Sequence, residues 1–128
     1  MLEKLDYKSL SPEIYNLRFW ARDISPDLLK ETFNKLLSKN EFTVLNFSEH
    51  FFPVQGYTAI WLLAESHLAI HTFPQHEWSY IELSGCNAHK TNEFKKSLYN
   101  SGLEINFETD QMSLSKPEVL SVKNKKHS

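Results

Sequence analysis

Cysteine is almost missing from this chain: Cys86 is the only one among 128 residues. An intramolecular disulfide framework is thereby excluded, and a reducing compartment is the natural setting. Excess charge of one sign is missing as well. With 14 basic against 16 acidic residues and a formal net charge of -2, nothing in the electrostatics favours a nucleic-acid partner. No hydrophobic run approaches the length of a membrane span, and residues 1–10 mix charged with apolar side chains. There is no internal repeat and no low-complexity segment. These absences point to a soluble, cytoplasmic protein with neither a nucleic-acid nor a membrane partner, and they leave its activity open.

What is there suffices for a core. A content of 41% hydrophobic and 13% aromatic residues, at this length, suits one globular domain. Residues 13–22 alternate best from Tyr15 to Phe19 and read as a strand. Ser25-Pro26-Asp27 opens a helix, with serine as cap, proline at the first position and an acid near the positive end of the dipole. Leu29, Phe33, Leu36 and Leu37 give that helix one apolar stripe, which ends near Asn40. Strands follow at 42–52 and 57–64 around a turn at 53–56, then at 68–73 and 78–84 around Pro74-Gln75-His76-Glu77. A second helix begins near Lys90 or Thr91 and carries Phe94, Leu98 and Tyr99, with Gly102 just past its end. Leu103, Ile105 and Phe107 alternate as a last strand.

The order β-α-β-β-β-β-α-β favours an α+β fold: a two-layer sandwich of a mainly antiparallel sheet with both helices on one face. Strands this aromatic need cover on the other face too, and a homodimer packed sheet to sheet provides it. The domain is expected over 1–113. Residues 114–128, with Lys123, Lys125 and Lys126, read as a polar, flexible tail.

The most informative stretch is Glu65-Ser66-His67-Leu68-Ala69-Ile70-His71-Thr72-Phe73-Pro74, with Cys86 fifteen residues beyond His71. Taken alone, Ser66 is an ordinary turn residue, His71 a polar position on a strand and Cys86 a small buried hydrophobe. Together they suit another chemistry. A serine hydroxyl can attack the preceding carbonyl and shift the peptide bond to an ester, and β-elimination then cuts the chain. Such a reaction needs a strained turn, a donor for the oxyanion and a base. Imidazole is the right type for the base, and a thiol near a strand end can serve as an acid. His67 and His71 share a strand face, but His50, His76 and His89 offer no third ligand at a recognisable spacing, so no metal is expected.

This stretch resembles the processing and catalytic segment of the prokaryotic S-adenosylmethionine decarboxylase proenzymes, and the similarity extends from about Tyr15 to Asp110. The resemblance implies self-cleavage between Glu65 and Ser66, with Ser66 becoming a pyruvoyl cofactor that forms a Schiff base with the substrate. It implies proton transfer by His71 during processing, with help from Thr58, which stands where the family carries a small hydroxyl residue after a glycine (here Gly56). Cys86 would be the proton donor once CO2 has left. Phe52 matches an aromatic that stacks on the substrate's adenine across a dimer interface, and Phe73 stands where tryptophan is common.

Three departures bear on the substrate. Gln75 replaces a glutamate that binds ribose hydroxyls, which loses a charge-assisted hydrogen bond. Leu83-Ser84-Gly85-Cys86-Asn87 replaces the family's aromatic, threonine, cysteine, glycine pattern. Tyr15-Asn16-Leu17 also stands in place of a glycine-histidine motif. S-adenosylmethionine decarboxylation for spermidine synthesis is therefore the leading expectation. The same cofactor acting on arginine or ornithine, a non-catalytic paralogue that partners an active enzyme, and an unrelated α/β binding module stay open.

Overall fold

The computed structural model describes residues 13–107. The tail read at 114–128 and the end of the domain at 113 lie outside the described residues. Eight main elements follow in chain order: β1 (Tyr15–Ala21), α1 (Pro26–Lys39), β2 (Val44–Phe51), β3 (Tyr57–Leu63), β4 (Ser66–Phe73), β5 (Trp78–Gly85), α2 (Ala88–Leu98) and β6 (Ile105–Phe107). The strands form one six-stranded sheet in the order β2-β3-β4-β5-β1-β6, and every pairing is antiparallel. This is the α+β architecture expected from the sequence.

Both helices lie on one face because their apolar stripes meet the same alternate strand positions. Leu29, Phe33, Leu36 and Leu37 of α1 and Phe94 and Leu98 of α2 join one buried cluster. Into it the sheet sends Leu17 and Phe19 from β1, Ala59 and Trp61 from β3, Leu68 and Ile70 from β4, and Ile81 and Leu83 from β5. Ring contacts join helix to sheet and helix to helix, with Phe33 of α1 6.2 Å from Phe19 of β1 and 6.3 Å from Phe94 of α2 between centroids.

Local chemistry sets the element ends. The Ser25 hydroxyl accepts from the Leu28 amide, so α1 starts where the Ser-Pro-Asp signal places it. At the other end, the Asn40 side chain donates to the Leu36 carbonyl and to Ser97 Oγ, tying α1 to α2. Helix α2 opens earlier than the sequence suggested. Asn87 accepts from the Lys90 amide at 2.9 Å and is the true cap, which brings the helix start to Ala88, two residues past Cys86. Strand β4 also starts earlier, at Ser66 rather than Leu68, because Ala64 and Glu65 alone connect it to β3.

The second face is more polar than expected. Its cross-strand rows carry His50, Thr58, His71, Tyr80 and Trp20, then Ser48, Ile60, Ala69, Glu82 and Arg18. Apolar side chains such as Ile60, Leu62 and Phe73 are exposed there among these polar groups.

The edge strand β2 is fastened to α1 by charge. Tyr57 donates to Glu49 at 2.6 Å, and Lys30 reaches the other carboxylate oxygen at 3.3 Å. The Tyr57 hydrogen bond, followed by Lys30, holds the Glu49 carboxyl below its usual value against the opposing effect of desolvation. Burial, followed by Glu49, pushes the Tyr57 hydroxyl well above its usual value. A lowered carboxylate stabilises the fold above its unfolded value and ceases to do so as pH falls through its folded value. A raised phenol stabilises below its unfolded value and ceases to as pH rises above it. Tyr57→Phe is accordingly expected to lower the melting temperature by a few degrees at neutral pH. The gap to the parent protein should shrink below the ordinary carboxylate range. A gap of equal size in acid would assign the effect to ring packing instead.

Candidate active site

The connection between β3 and β4 leaves no slack. Leu63 pairs with Ser66, so Ala64 and Glu65 must reverse the chain alone, and Glu65 does it with φ +62°, in the left-handed region. A side chain costs about 1 kcal/mol or more there. The peptide bond leaving this strained residue is Glu65–Ser66. On its other side Ser66 pairs with Gly85, and Cys86 follows directly. The Cys86 thiol donates to the Glu65 carbonyl oxygen at 3.4 Å and lies 3.5 Å from Glu65 Oε1. Strain, a serine and a donor on the adjoining carbonyl thus meet at one bond.

A second cluster stands elsewhere on the sheet. Thr58 and His71 face each other across β3 and β4, with Thr58 Oγ1 3.1 Å from His71 Nδ1. The hydroxyl fixes the ring's orientation and leaves Nε2 directed away from it. His50 is opposite Thr58 in register, so two imidazoles flank this threonine. Phe52 lies just beyond the end of β2, exposed, its ring 4.6 Å from that of His50 and its amide donating to the Gly56 carbonyl. Phe73 ends β4, and Gln75 lies in the single 3-10 turn Pro74–His76 that follows.

One chain does not bring the two clusters together. Successive strand residues point to opposite faces. Ser66 alternates with buried Leu68, Ile70 and Thr72, whereas His71 shares the open face with His67 and Phe73. Five residues of strand also separate Ser66 from His71 by roughly 16 Å. Within one chain the geometry therefore keeps His71, expected from the resemblance to transfer the processing proton, apart from Ser66. Glu65, Ser66 and Cys86 gather at one end of β4, and Thr58, His71, Phe52, Phe73 and Gln75 at the other.

Sequence reasoning missed an aromatic group beside His71. Trp20 of β1 lies 5.8 Å from Phe73 and 5.1 Å from Tyr80 of β5 between centroids, and Tyr80 is His71's register partner. Alternation within β1 and β5 was visible in the sequence, but their shared face with β4 needed the register. Among the described residues, no group of three or more His, Cys, Asp or Glu side chains could hold a metal ion. No helix among them is long and apolar enough to cross a membrane.

Known proteins match this chain in sequence and in fold. The family described as S-adenosylmethionine decarboxylase matches residues 14–115. An S-adenosylmethionine decarboxylase proenzyme of Parasynechococcus marenigrum is 36% identical over 61 residues, and one of Prochlorococcus marinus is 38% identical over 58. A proenzyme of the same description from Geobacillus kaustophilus is 33% identical over 60 residues. The chain spans about half the length of these relatives, 48%, 46% and 48% of them in turn, while the matches cover 48%, 45% and 47% of this chain. In three dimensions it resembles the adenosylmethionine decarboxylase of Aquifex aeolicus, with a TM-score of 0.55 at 15% identity, covering 88% of this chain and all (100%) of that one. That likeness is one of fold. Because the family match runs from β1 through both helices to β6, this chain belongs to the S-adenosylmethionine decarboxylase family.

Proposed function

We propose that this chain is the proenzyme of a pyruvoyl-dependent S-adenosylmethionine decarboxylase, cut by its own Ser66. The observation that carries the reading is the Cys86 thiol on the Glu65 carbonyl, in the turn whose strained residue precedes Ser66. Ser66 Oγ attacks the Glu65 carbonyl carbon, the C–O bond forms and the C–N bond breaks, and the hydroxyl proton passes to the Ser66 nitrogen. Cys86 holds the oxyanion that develops. A base then takes the α-proton of residue 66, the Oγ–Cβ bond breaks, and Glu65 leaves as a carboxylate. Water displaces the nitrogen as ammonia and leaves a pyruvoyl group at the head of the second fragment. The residues fit that group, which supplies the electron sink for loss of CO2. Cys86, freed from the scissile carbonyl, would return a proton to the substrate's α-carbon. The product would feed spermidine synthesis in the cytoplasm.

The base is the Thr58–His71 pair, and it reaches the Glu65–Ser66 turn from a second copy. Parity and distance keep it from Ser66 in the same chain, while the turn lies at the end of the sheet, where another open face can approach. The mixed apolar and polar character of that face suits a homodimer packed through it. Phe52, Phe73 and Gln75, which stand at the His71 end, then join the substrate site from the same copy. Gln75 favours a second reading, in which the same cofactor acts on an amino acid without a ribose, such as arginine or ornithine.

Three outcomes are expected. The intact mass of the denatured protein should show two fragments meeting at Glu65–Ser66, the second lighter by one ammonia than simple hydrolysis gives. Ser66→Ala should stay whole, and Cys86→Ala should cut at least roughly tenfold more slowly, as loss of an oxyanion donor requires. An uncut parent chain after long incubation removes self-processing. Next, Ser66→Ala and His71→Ala chains, each inert alone, should on co-expression cut the His71→Ala chain only, because the Ser66→Ala partner lends its histidine. Absence of any cut in the mixture would rule out a shared site. Finally, Gln75→Glu should raise CO2 release from S-adenosylmethionine under the leading reading and leave it unchanged under the second.

A further inference from the structure

Residue 85 is a glycine although its backbone does not require one. The positive-φ glycines among the described residues are Gly56 and Gly102, and Gly85 is an ordinary strand residue. What distinguishes its position is the neighbourhood. Gly85 is the register partner of Ser66 on β4 and of Tyr15 on β1, and it follows Ser79, Ile81 and Leu83 on the helix-facing side of β5. A Cβ placed there would stand 3.5 Å from Ser66 Cβ and 3.4 Å from Thr91 Oγ1. The missing side chain therefore leaves a gap with the serine on one wall and a threonine hydroxyl on the other.

Thr91 is fully buried in the first turns of α2, one of few polar side chains in the interior. Its hydroxyl donates to the Asn87 carbonyl at 2.9 Å. With its one proton so engaged, Oγ1 can only accept, and it borders the gap. Ser66 faces the same side by strand parity, and its hydroxyl makes no side-chain hydrogen bond among the described residues. Thr91 is also rigidly tied to the catalytic end of the sheet. The Thr91 and Lys90 amides both donate to Asn87, which is bonded to Cys86.

We infer that Thr91 is a positioning residue for self-cleavage, accepting a hydrogen bond from the Ser66 hydroxyl once that hydroxyl turns into the space that Gly85 leaves. The inference rests on the self-cleavage proposed above. Drawing the O–H bond toward Thr91 fixes the Ser66 rotamer and turns an Oγ lone pair to the Glu65 carbonyl carbon. Thr91 takes no proton at any step. It acts only through Ser66, at the attack that forms the ester, and a Cβ at residue 85 would crowd the hydroxyl out of this seat.

The test is a time course of cleavage by intact mass on freshly translated chains, with and without hydroxylamine, which cuts an ester once it has formed. Thr91→Val keeps the shape and removes the acceptor; it should slow cutting about tenfold or more, as misplacing a reacting group does. Hydroxylamine should not restore it, because the blocked step precedes the ester. Thr91→Ser should cut close to the parent rate, and Gly85→Ala should be slowed like Thr91→Val. Parental cutting by Thr91→Val, failure of Thr91→Ser to rescue, or restoration of Thr91→Val by hydroxylamine would each overturn the role. If Thr91→Val lacks a cooperative melt, Gly85→Ala decides, and parental cutting by that variant overturns the proposal. A parent chain that never cuts removes the self-cleavage reading and this role with it, whereas a cutting parent beside an unaffected Thr91→Val removes this role alone.

Discussion

The register of β4 between β3 and β5 is the constraint on which the rest of this structure depends. A strand alternates its faces with a period of two, so one fixed pairing decides the direction of every side chain along it. The two-residue link at Ala64 and Glu65 fixes that pairing on one side by making Leu63 and Ser66 partners. On the other side Ser66 meets Gly85. A slip of one residue would send Leu68 and Ile70 to the open face and take the hydroxyl of Ser66 away from α2. The apolar core and the strained turn are thus held by the same hydrogen-bond ladder, and neither can shift alone.

This also accounts for the division of the site. Residues that are neighbours in sequence share a site only if their separation suits the strand, and five is an odd number. The thiol arrives at Glu65 by a different route, through the β4–β5 pairing, which carries the chain back beside its own turn. Conversely, Thr58 and His71 are thirteen residues apart yet lie opposite each other in register. Chemistry that needs both clusters calls for a second face, and the open side of the sheet has the mixed character of a surface that meets one.

Much of this was legible in the sequence where a local signal carried it. Ser25-Pro26-Asp27 announces a helix start by capping chemistry that needs no tertiary partner, and the element order follows from alternation punctuated by turns. The stretch around Ser66 carried a resemblance to a family, and the family match over residues 14–115 agrees with it. Less visible were features set by neighbours distant in sequence. Ala88 and His89 lack an apolar helical pattern, so the sequence places the start of α2 near Lys90 or Thr91 and the Asn87 cap emerges only in the structure. The meeting of Trp20, Tyr80 and Phe73 required the order of the strands, and the gap at Gly85 required knowing what lies across from it. The odd spacing of Ser66 and His71, by contrast, was readable once β4 was known to begin at Ser66.

Strand order has one more consequence, which concerns the proposed cut after residue 65. The first fragment owns β1, β2 and β3 and the second owns β4, β5 and β6, but the sheet runs β2-β3-β4-β5-β1-β6. Strands of the two pieces are interleaved, and each piece keeps one helix of the shared core. Parting them would break the β3–β4, β5–β1 and β1–β6 ladders together and strip both helices of their cover. Maturation would therefore leave a dovetailed pair that behaves as one body while folded. Once unfolded, it would have to find its way back as two chains, without the hairpin that first set the register of β4. The uncut chain folds with that guide and a cut protein would keep only its result, so severing this bond would make folding a single-use event.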